Sequence, residues 1–456
     1  MPYSLGVDLG TTFVAAAIAR PSGVGMVSLS AQSVVAPALV HLAEDGTIST
    51  GDAARRRAIT EPDRVGREFK RRLGDPTPIK LGHESFAVTE LLGALLRDVL
   101  RQVIRLEREP PEQVVLTHPA NWGPFRRGLF EEVPAIAELS NTGLGNTELS
   151  NAELGNPDLS NTVTITEPAA AAAHYAAARY LHDGQIVGVY DLGGGTFDAT
   201  ILRGGPDGVE ILGHPEGIER LGGADFDESV LQYVNYSTGG ALDALDMTDP
   251  HSARAVARLR QDCVLAKESL SHDTETTIPV FLPDRHFEVT LTRSEFESMV
   301  RGPIESTTQA LVRALRAATL EPSDLSAVLL VGGSSRIPLV AELVGQELGC
   351  RTLVDTHSKF TVALGAAATT LRRHRVGPTS ATVAPGIAPS APLAEPAAVA
   401  TSGRVRASVA TEAVQPLKRD LPAGSPPAHA APPNTRNWVL ALSIATVVLV
   451  AILVIV

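Results

Sequence analysis

Cysteine and aromatic side chains are scarce in this chain. Only Cys263 and Cys350 are present among 456 residues, and aromatic residues make up 4% of the sequence. So few cysteines argue against a disulfide framework and indicate a reducing compartment. No charged and apolar signal segment opens the sequence, because an apolar strand begins almost at once. With 44% hydrophobic residues, the composition fits an α/β protein with two or more cores.

Two well-known nucleotide-binding loops are missing. There is no Gly-x-x-x-x-Gly-Lys-Ser/Thr loop, which excludes a P-loop protein. There is also no Gly-x-Gly-x-x-Gly after the first strand, which argues against a dinucleotide fold. Three other glycine-rich runs are present instead, at residues 6–12 (GVDLGTT), 191–196 (DLGGGT) and 331–336 (VGGSSR).

The first two of these runs share one layout. In each, an apolar strand leads to an Asp, a turn of Gly and Thr follows, and an alternating strand comes next, over residues 13–18 and 197–202. One such turn needs no ligand, since any tight turn between strands favours glycine. Two copies and a third glycine pair, far apart in the chain, predict two hairpins that face each other across a nucleotide. Glycines let the backbone approach phosphate oxygens, while Thr hydroxyl and backbone N–H groups donate to them.

Further segments resemble those of a known family. They are residues 69–74 (FKRRLG), 117–120 (THPA), 166–171 (TEPAAA), 221–227 (LGGADFD) and 266–271 (AKESLS). With the glycine-rich runs, they make residues 1–370 resemble the ATPase domain of the heat-shock protein 70 (DnaK-like) chaperones, within the actin and sugar-kinase superfamily. The resemblance implies a two-lobed, actin-like α/β domain with duplicated ribonuclease-H-like lobes. It also implies binding of ATP or ADP with Mg²⁺, K⁺ as a further candidate ion, and a role in the stress response.

Four side chains are the candidates for catalysis: Asp8, Lys70, Glu167 and Asp191. Asp8 and Asp191 are expected to hold Mg²⁺ through its water shell, and Asp191 or Glu167 to orient the attacking water. Lys70 is expected to reach the γ-phosphate as a point charge, and Asp198 to help hold a monovalent ion. A basic run such as residues 67–72 is otherwise a solvated surface, and a lone Glu at this position is otherwise a helix N-terminal acid.

The other expected nucleotide contacts come from the glycine-rich runs and from the two later signatures. They are Gly10, Thr11, Thr12, Gly193, Gly194, Gly195, Thr196, Gly222, Gly223, Lys267, Ser271, Gly332, Gly333, Ser334 and Arg336. On the adenosine side, Val264 stands where the family usually has an acid, and residues 357–360 (HSKF) replace Asn-Pro-Asp-Glu. We therefore expect altered nucleotide affinity or selectivity. Pro119 and Arg127 resemble the family's switch proline and coupling arginine, or else mark a strand end and a surface charge.

Residues 137–161 hold an internal repeat that this resemblance does not explain. Five pentapeptide units follow one another, and their central residues are Leu139, Leu144, Leu149, Leu154 and Leu159. The pattern resembles pentapeptide-repeat proteins, but five short units make barely more than one coil of such a solenoid. We predict a surface insertion between the switch-proline segment and Glu167, a location where it is placed to disturb the ATPase cycle.

Charge is unevenly distributed along the chain. Residues 371–437 carry eight basic and three acidic side chains, a net +5, and since the total is −12 the rest of the chain carries −17. An acidic domain is a poor nucleic-acid binder, so no nucleic-acid partner is expected. The basic segment is rich in Pro, Ala, Ser and Val and lacks periodicity, which predicts a disordered Pro/Ala-rich linker.

An uncharged segment of 19 residues follows, at residues 438–456. As a helix it spans about 28 Å, enough to cross a hydrocarbon core, and it is too long for a strand. Lys418, Arg419 and Arg436 precede it. These charges predict a single-pass C-terminal transmembrane helix in the cell membrane, with the ATPase domain facing the cytoplasm, as in a tail-anchored protein.

After Thr370 the sequence shows no acidic-leucine linker, peptide-binding β-sandwich or helical lid of the family. Three hypotheses stay open. The first is a membrane-anchored, chaperone-type ATPase whose lobe closure controls a protein client or regulator. The second is a sensor or scaffold that binds ATP without turnover, and the third is an actin-like polymerising protein. The Lys70 segment and residues 221–227 favour the chaperone branch over the actin branch, and the four retained catalytic candidates favour turnover.

Overall fold

Two β-sheets form the framework of the described part of the chain. The computed structural model describes residues 2–31, 33–139, 159–177, 181–205, 208–354 and 360–375, all within the first of two compact units, Met1–Ala381. Repeat residues 140–158, residues 355–359, the predicted linker beyond Arg375 and the predicted transmembrane helix lie outside these ranges. Within the ranges, no helix is both long enough and apolar enough to cross a membrane.

The first lobe comprises the elements up to residue 166. Its strands are β1 (Ser4–Leu9), β2 (Phe13–Arg20), β3 (Gly23–Met26), β4 (Ala36–Pro37), β5 (Val40–Leu42), β6 (Ile48–Thr50), β7 (Val65–Gly66), β8 (Ile79–Leu81), β9 (Glu84–Phe86), β10 (Gln113–His118) and β11 (Thr162–Thr166). Its helices are α1 (Gly51–Thr60), α2 (Val88–Glu107), α3 (Pro124–Glu131) and α4 (Val133–Leu139). A short 3₁₀ helix, Phe69–Arg72, carries Lys70.

Helix α5 (Glu167–Ala177) leads into the second lobe, and α10 (Thr361–Arg375) follows it. The strands of the second lobe are β12 (Ile186–Leu192), β13 (Thr196–Gly205), β14 (Gly208–Glu219), β15 (Glu275–Phe281), β16 (His286–Thr292), β17 (Ala327–Val331) and β18 (Thr352–Val354). Its helices are α6 (Gly223–Ser237), α7 (Pro250–Ser269), α8 (Arg293–Ala317) and α9 (Pro338–Leu348). The sequence has a helical pattern over residues 89–106 and 252–270, and these segments form α2 and α7.

The two main sheets repeat one strand order. The first runs β11-β10-β1-β2-β3, with β4 added beside β2, and the second runs β18-β17-β12-β13-β14. In both sheets three consecutive strands pair antiparallel, and two later strands add in parallel on the other side. The predicted α/β fold with two duplicated hairpins is therefore confirmed in these two sheets.

The hairpin registers differ in one respect that matters for the site. In the first hairpin Asp8 lies opposite Ala15, whereas in the second Asp191 lies opposite Asp198. Because the two hairpins are equivalent in topology, Ala15 and Asp198 occupy corresponding positions. The second hairpin thus contributes two carboxylates where the first contributes one.

Strands β2 and β13 are buried along most of their length. In β2, Val14, Ala16 and Ile18 pack into the core of the first lobe, whereas Ala15 and Ala17 pack against α10. The predicted alternation is present, but it separates two apolar cores and not a core from solvent. Helices that cover both faces of a sheet produce this arrangement.

Helices α5 and α10 join the two sheets. Helix α10 packs on the first sheet, α5 packs on the second, and the two helices contact each other along their length. A Cβ on Gly365 of α10 would stand 1.7 Å from the carbonyl oxygen of Ala170 in α5, and a Cβ on Gly6 of β1 would stand 2.4 Å from the backbone nitrogen of Ala367. Only glycine fits at these two positions, so the backbones of the crossing elements meet directly.

Candidate nucleotide-binding cleft

A cleft between the two hairpins collects residues from distant parts of the sequence. It encloses about 640 Å³, part of it open to solvent. Its lining residues are Asp8, Gly10, Thr11, Thr12, Phe13, Ala15, Lys70, Glu167, Asp191, Gly193, Gly194, Thr196, Gly332, Gly333 and Val362. All four predicted catalytic side chains are among them. The cleft also holds glycines from each of the three glycine-rich runs, as expected if the two hairpins face each other across a nucleotide.

The two hairpin turns approach each other closely. A Cβ on Gly194 would stand 2.4 Å from the Thr12 hydroxyl oxygen, and a Cβ on Gly195 would stand 2.5 Å from the Thr11 methyl carbon. A Cβ on Gly222, just before α6, would lie 2.6 Å from the backbone nitrogen of Gly195. Backbone N–H groups and hydroxyls therefore converge on one space without intervening side chains, which is the arrangement that cradles phosphate oxygens.

Lys70 forms the central ion pair of the cleft. Its Nζ lies 2.7 Å from Oε1 of Glu167, and both side chains are buried. Burial lowers the pKa of Lys70, but the carboxylates of Glu167 and Asp8 outweigh it, so that the pKa is raised. Lys70 therefore stays protonated at neutral pH. The alternative that its basic run forms a solvated surface does not hold at this residue, which is only 5% exposed.

The aspartates are crowded and poorly solvated. Asp8 accepts a hydrogen bond from the Thr117 hydroxyl at 3.0 Å, and burial, followed by the nearby Glu167, raises its pKa to about 6. Burial, followed by Glu167, Asp198 and Asp8, raises the pKa of Asp191 well above its usual range. Several carboxylates that disfavour one another's ionised forms fit a site that receives a cation.

Asp198 provides a second indication of a cation site. Its side chain is buried, and its Oδ1 has no hydrogen-bond partner among the described residues. Burial, followed by Glu167, raises its pKa to about 8. An orphaned carboxylate oxygen beside Asp191 fits Mg²⁺ or K⁺, which prefer oxygen ligands.

A preformed metal cage is not present in the described ranges. No group of three or more His, Cys, Asp or Glu side chains lies close enough there to hold a metal ion directly. Mg²⁺ commonly keeps several waters and takes one or two carboxylates together with substrate phosphates. The donor set of Asp8, Asp191 and Asp198 fits that mode of binding.

The expected nucleotide contacts Lys267, Ser271, Ser334 and Arg336 are only partly brought to the cleft. Lys267 donates to the carbonyl oxygen of Gly223 at 2.9 Å, and Ser334 donates to the carbonyl oxygen of Gly193 at 2.9 Å. A Cβ on Gly223 would stand 2.8 Å from Oγ of Ser334, so these residues adjoin the phosphate cleft. Arg336 lies outside the cleft lining and contacts His272, its Nη2 2.9 Å from Nε2. The side chain of Ser271, which follows α7, also lies outside the lining.

Sequence reasoning missed several residues that position the site. Nζ of Lys70 lies 5.6 Å from the ring centroid of Trp122, a cation–π contact, and the ring of His118 stacks on Trp122 with centroids 6.1 Å apart. Trp122 is one of only two tryptophans in the sequence, a signal that pointed to it.

Pro119 directly follows the end of β10, and Arg127 is exposed on α3. Both positions agree with the alternatives of a strand end and a surface charge.

A comparison with protein families decides the relationship. The family model described as Hsp70 protein matches residues 4–120 and 159–371, well over half of the chain. The chain belongs to the Hsp70 family. Hsp70 proteins bind ATP or ADP with Mg²⁺ and are ATPases, which supports a nucleotide-binding, chaperone-like role for this chain.

The Hsp70 match covers every predicted catalytic, metal-binding and nucleotide-contacting residue and leaves one internal gap. That gap, residues 121–158, contains Trp122, helices α3 and α4, and most of the repeat. Trp122, which contacts Lys70, thus lies in a stretch that the family model does not match.

Proposed function

We propose that this protein hydrolyses ATP and uses the closure of its two lobes to control a partner protein, a client or a regulator. The observation that carries the proposal is the buried ion pair of Lys70 and Glu167, which lies between the two hairpin turns with Asp8 and Asp191 beside it. Phosphoryl transfer depends on charge neutralisation and a positioned water more than on covalent chemistry. The cleft offers one buried cation and three carboxylates for these tasks.

Lys70 is the group that neutralises charge developing on the transferred phosphoryl. Glu167 fixes its ammonium at 2.7 Å, and the raised pKa keeps it charged. In a cleft that excludes most water, a fixed positive charge acts more strongly than it would in bulk solvent. The pair therefore supplies a preorganised contact for a γ-phosphate oxygen.

Glu167 and Asp191 are suited to orient the attacking water. Oε1 of Glu167 accepts from Lys70, which leaves Oε2 to accept a hydrogen bond from a water. Asp191 belongs to the second hairpin, lines the same cleft and is a second hydrogen-bond acceptor there. Asp8, oriented by Thr117, and Asp191 would hold Mg²⁺ through water, and the ion when bound supplies Lewis-acid stabilisation of the phosphoryl oxygens.

Ion pairs that cross between the lobes connect the cleft to the rest of the domain. Arg71, next to Lys70, binds Asp225 at the start of α6, and Arg126 of α3 binds Glu219 at the end of β14. A nucleotide held by both hairpins alters the spacing of the lobes, so it also acts on these pairs. We propose that a partner protein senses this spacing.

The test is phosphate release by Met1–Ala381, the unit that contains all four apolar cores. We expect Mg²⁺-dependent hydrolysis by the wild type and a loss of about 10²-fold or more in Lys70→Ala and in Asp191→Ala. Arg72→Ala is the matched control, since Arg72 binds Asp75 at the surface and lies outside the cleft lining. It is expected to hydrolyse ATP at the wild-type rate.

Calorimetry of ATP binding separates turnover from binding. A wild type that binds ATP but releases no more phosphate than the Lys70→Ala/Asp191→Ala double variant would reject the hydrolase and leave the sensor or scaffold. An increase of light scattering with ATP would indicate the polymerising protein. Crosslinking of the whole chain in its native membrane identifies the partner.

We also propose that residues 438–456 anchor the protein once in the cell membrane, with the ATPase domain in the cytoplasm. The support is the run of 19 uncharged residues and the basic Lys418, Arg419 and Arg436 before it. The whole chain is expected to resist alkaline extraction of membranes, whereas residues 1–437 are expected to be released. Protease added to cells with a permeable wall and an intact membrane is expected to spare the ATPase domain. Release of both chains would reject the anchor.

A further inference from the structure

A second cavity lies between the lobes and shares no lining residue with the phosphate cleft. The space amounts to about 930 Å³, part of it open to solvent. The first lobe contributes Pro62 and Arg67, and the second contributes residues of α6 and of one face of α7. The proposed ATPase mechanism assigns this cavity no role, although Val264, which the resemblance places on the adenosine side, is one of its lining residues.

The cations of this cavity exceed its available anions. Its two carboxylates are already engaged, since Glu68 binds Arg71 at 3.2 Å and Asp227 binds Lys267 at 2.8 Å. Arg67 has no carboxylate within ion-pair distance in the described part of the chain. An anion entering the cavity would therefore meet a guanidinium with no competing partner.

A second guanidinium approaches from the other lobe. Arg260 of α7 lines the same cavity, and its one ion pair within the described residues is a surface contact with Glu228, 2.7 Å long. Arg67 and Arg260 line this cavity from opposite lobes, so their like charges repel each other. An anion between them would remove this repulsion and accept charge-assisted hydrogen bonds from both.

Most of the remaining wall is apolar, and Gln261 adds one neutral polar side chain. Val256 and Ala257 line the cavity one turn before Arg260 and Val264 one turn after it, and Met247, a residue 53% exposed, also lines the cavity. Val264 is also the position where the resemblance led us to expect an acid. An aliphatic side chain there leaves the guanidiniums uncompensated and gives a ligand apolar surface to cover.

We propose that this cavity binds an organic carboxylate with an apolar body. The carboxylate lies between Arg67 and Arg260, and the apolar part covers Val264 and Met247. Because Arg67 belongs to the first lobe and Arg260 to the second, the ligand links the lobes and favours their closed arrangement. This inference does not rest on ATP hydrolysis, and its test requires no turnover.

The probe is 2-naphthoate, a rigid aromatic carboxylate, with neutral 2-naphthamide as its uncharged match. Calorimetry is performed on the whole chain and on the variants Arg67→Gln, Arg260→Gln and Val264→Glu, all in the same detergent. Each variant is expected to weaken naphthoate binding about tenfold, because each removes or neutralises one charge-assisted contact. Naphthoate is also expected to raise the melting temperature of the wild type in a concentration-dependent way, and much less that of the variants.

Two control variants separate charge from other effects: one changes a residue outside the cavity, and the other places a neutral side chain at Val264. Arg258→Gln changes the same helix, but Arg258 lies over the Phe281 ring and outside the cavity, so naphthoate affinity should not change. Val264→Gln introduces a neutral side chain of the size of Glu and is expected to bind more tightly than Val264→Glu. If Val264→Glu fails to fold, the two arginine variants decide the question.

Three results would overturn the proposal. The first is that the wild type does not bind naphthoate at about 10 mM, a concentration at which even weak specific sites fill. The second is that the wild type and both arginine variants bind naphthoate with equal affinity. The third is that naphthamide binds as tightly as naphthoate. None of these results bears on phosphate release. A loss of phosphate release would in turn leave the carboxylate site standing.

Discussion

Nη2 of Arg71 lies 2.9 Å from Oδ1 and 3.0 Å from Oδ2 of Asp225, although the two residues are 154 positions apart in the sequence. Arg71 directly follows Lys70 on the 3₁₀ helix of the first lobe, whereas Asp225 lies in the first turn of α6 in the second lobe. The residue next to Lys70 is therefore bound to the opposite lobe. The position of Lys70 is therefore coupled to the spacing of the lobes through its neighbour Arg71.

Weakening this link should speed nucleotide release. In Asp225→Asn the side-chain oxygen still caps α6 by accepting from the N–H of Gly222, but the charge that holds Arg71 is gone. We expect release of a fluorescent ATP analogue to become about tenfold faster in stopped-flow measurements, as a loss of one to two kcal/mol implies. The control is Arg203→Gln, which removes an ion pair within the second lobe. Equal release rates in both variants would contradict the coupling.

Removal of Lys70 alone should cost stability as well as activity. Lys70→Ala leaves Glu167 buried without its cation, and breaking a buried pair from one side costs about 3–5 kcal/mol. Lys70→Ala/Glu167→Ala removes both charges and is expected to regain most of that loss in urea unfolding, without regaining phosphate release. A double variant as unstable as the sum of the single variants would show that the two residues do not interact.

The stability of the nucleotide-free and metal-free protein should fall as pH rises from about 4 to about 8. The pKa of Asp198 is about 8 in the folded protein against an ordinary value of 3.8, so the folded state holds a proton that the unfolded state has released across that window. Each such group lowers the free energy of unfolding by up to about 1.4 kcal/mol per pH unit. Asp198→Asn is expected to flatten this dependence in urea unfolding measured with a chelator.

The exposed Asp45 serves as the control for this pH series. Asp45→Asn is expected to leave the slope between pH 5 and 8 unchanged, because the pKa of Asp45 is lowered, chiefly by hydrogen bonding to Thr47. If Asp198→Asn has the same slope as the wild type, Asp198 is ionised over the whole pH range, and its unpaired Oδ1 needs another explanation.

A methyl group at the crossing of α5 and α10 should be strongly destabilising. In Gly365→Ala the new carbon would lie 1.7 Å from the Ala170 carbonyl oxygen unless the helices move apart, so we expect a loss of about 3 kcal/mol or more in thermal or urea unfolding. Gly345→Ala in α9 is the matched control, since its Cβ meets nothing within 4 Å, and it is expected to stabilise by about 0.5–1 kcal/mol. Equal stability of the two variants would contradict the direct backbone contact.

Much of the architecture could be predicted because its signals are local. The Asp-Gly-Thr turns are contiguous in the sequence, and they predicted both hairpins and the presence of Asp8 and Asp191 in one cleft. Helices α2 and α7 followed from periodicity within their own segments. The basic run of residues 67–72 could be interpreted in two ways, and only the burial of Lys70 decided between them.

The unpredicted features depend on contacts between distant segments. Neither Arg71 nor Asp225 carries a local pattern that names its partner, because either charge is common on a surface. Trp122 was likewise visible as a rare residue, but its place beside Lys70 follows from the path of the chain after β10. The cavity between Arg67 and Arg260 is of the same kind, since it exists only where two lobes meet.

The unequal hairpins have a consequence for how this protein can be organised. Asp198 faces Asp191 in one hairpin, whereas the corresponding Ala15 faces Asp8 in the other. In a symmetric dimer built from two identical halves, both copies would carry Asp at this position or both would carry Ala. Joining both halves in one polypeptide allows each to change independently, so one half can specialise in holding a cation while its counterpart keeps room for the helix that packs against it.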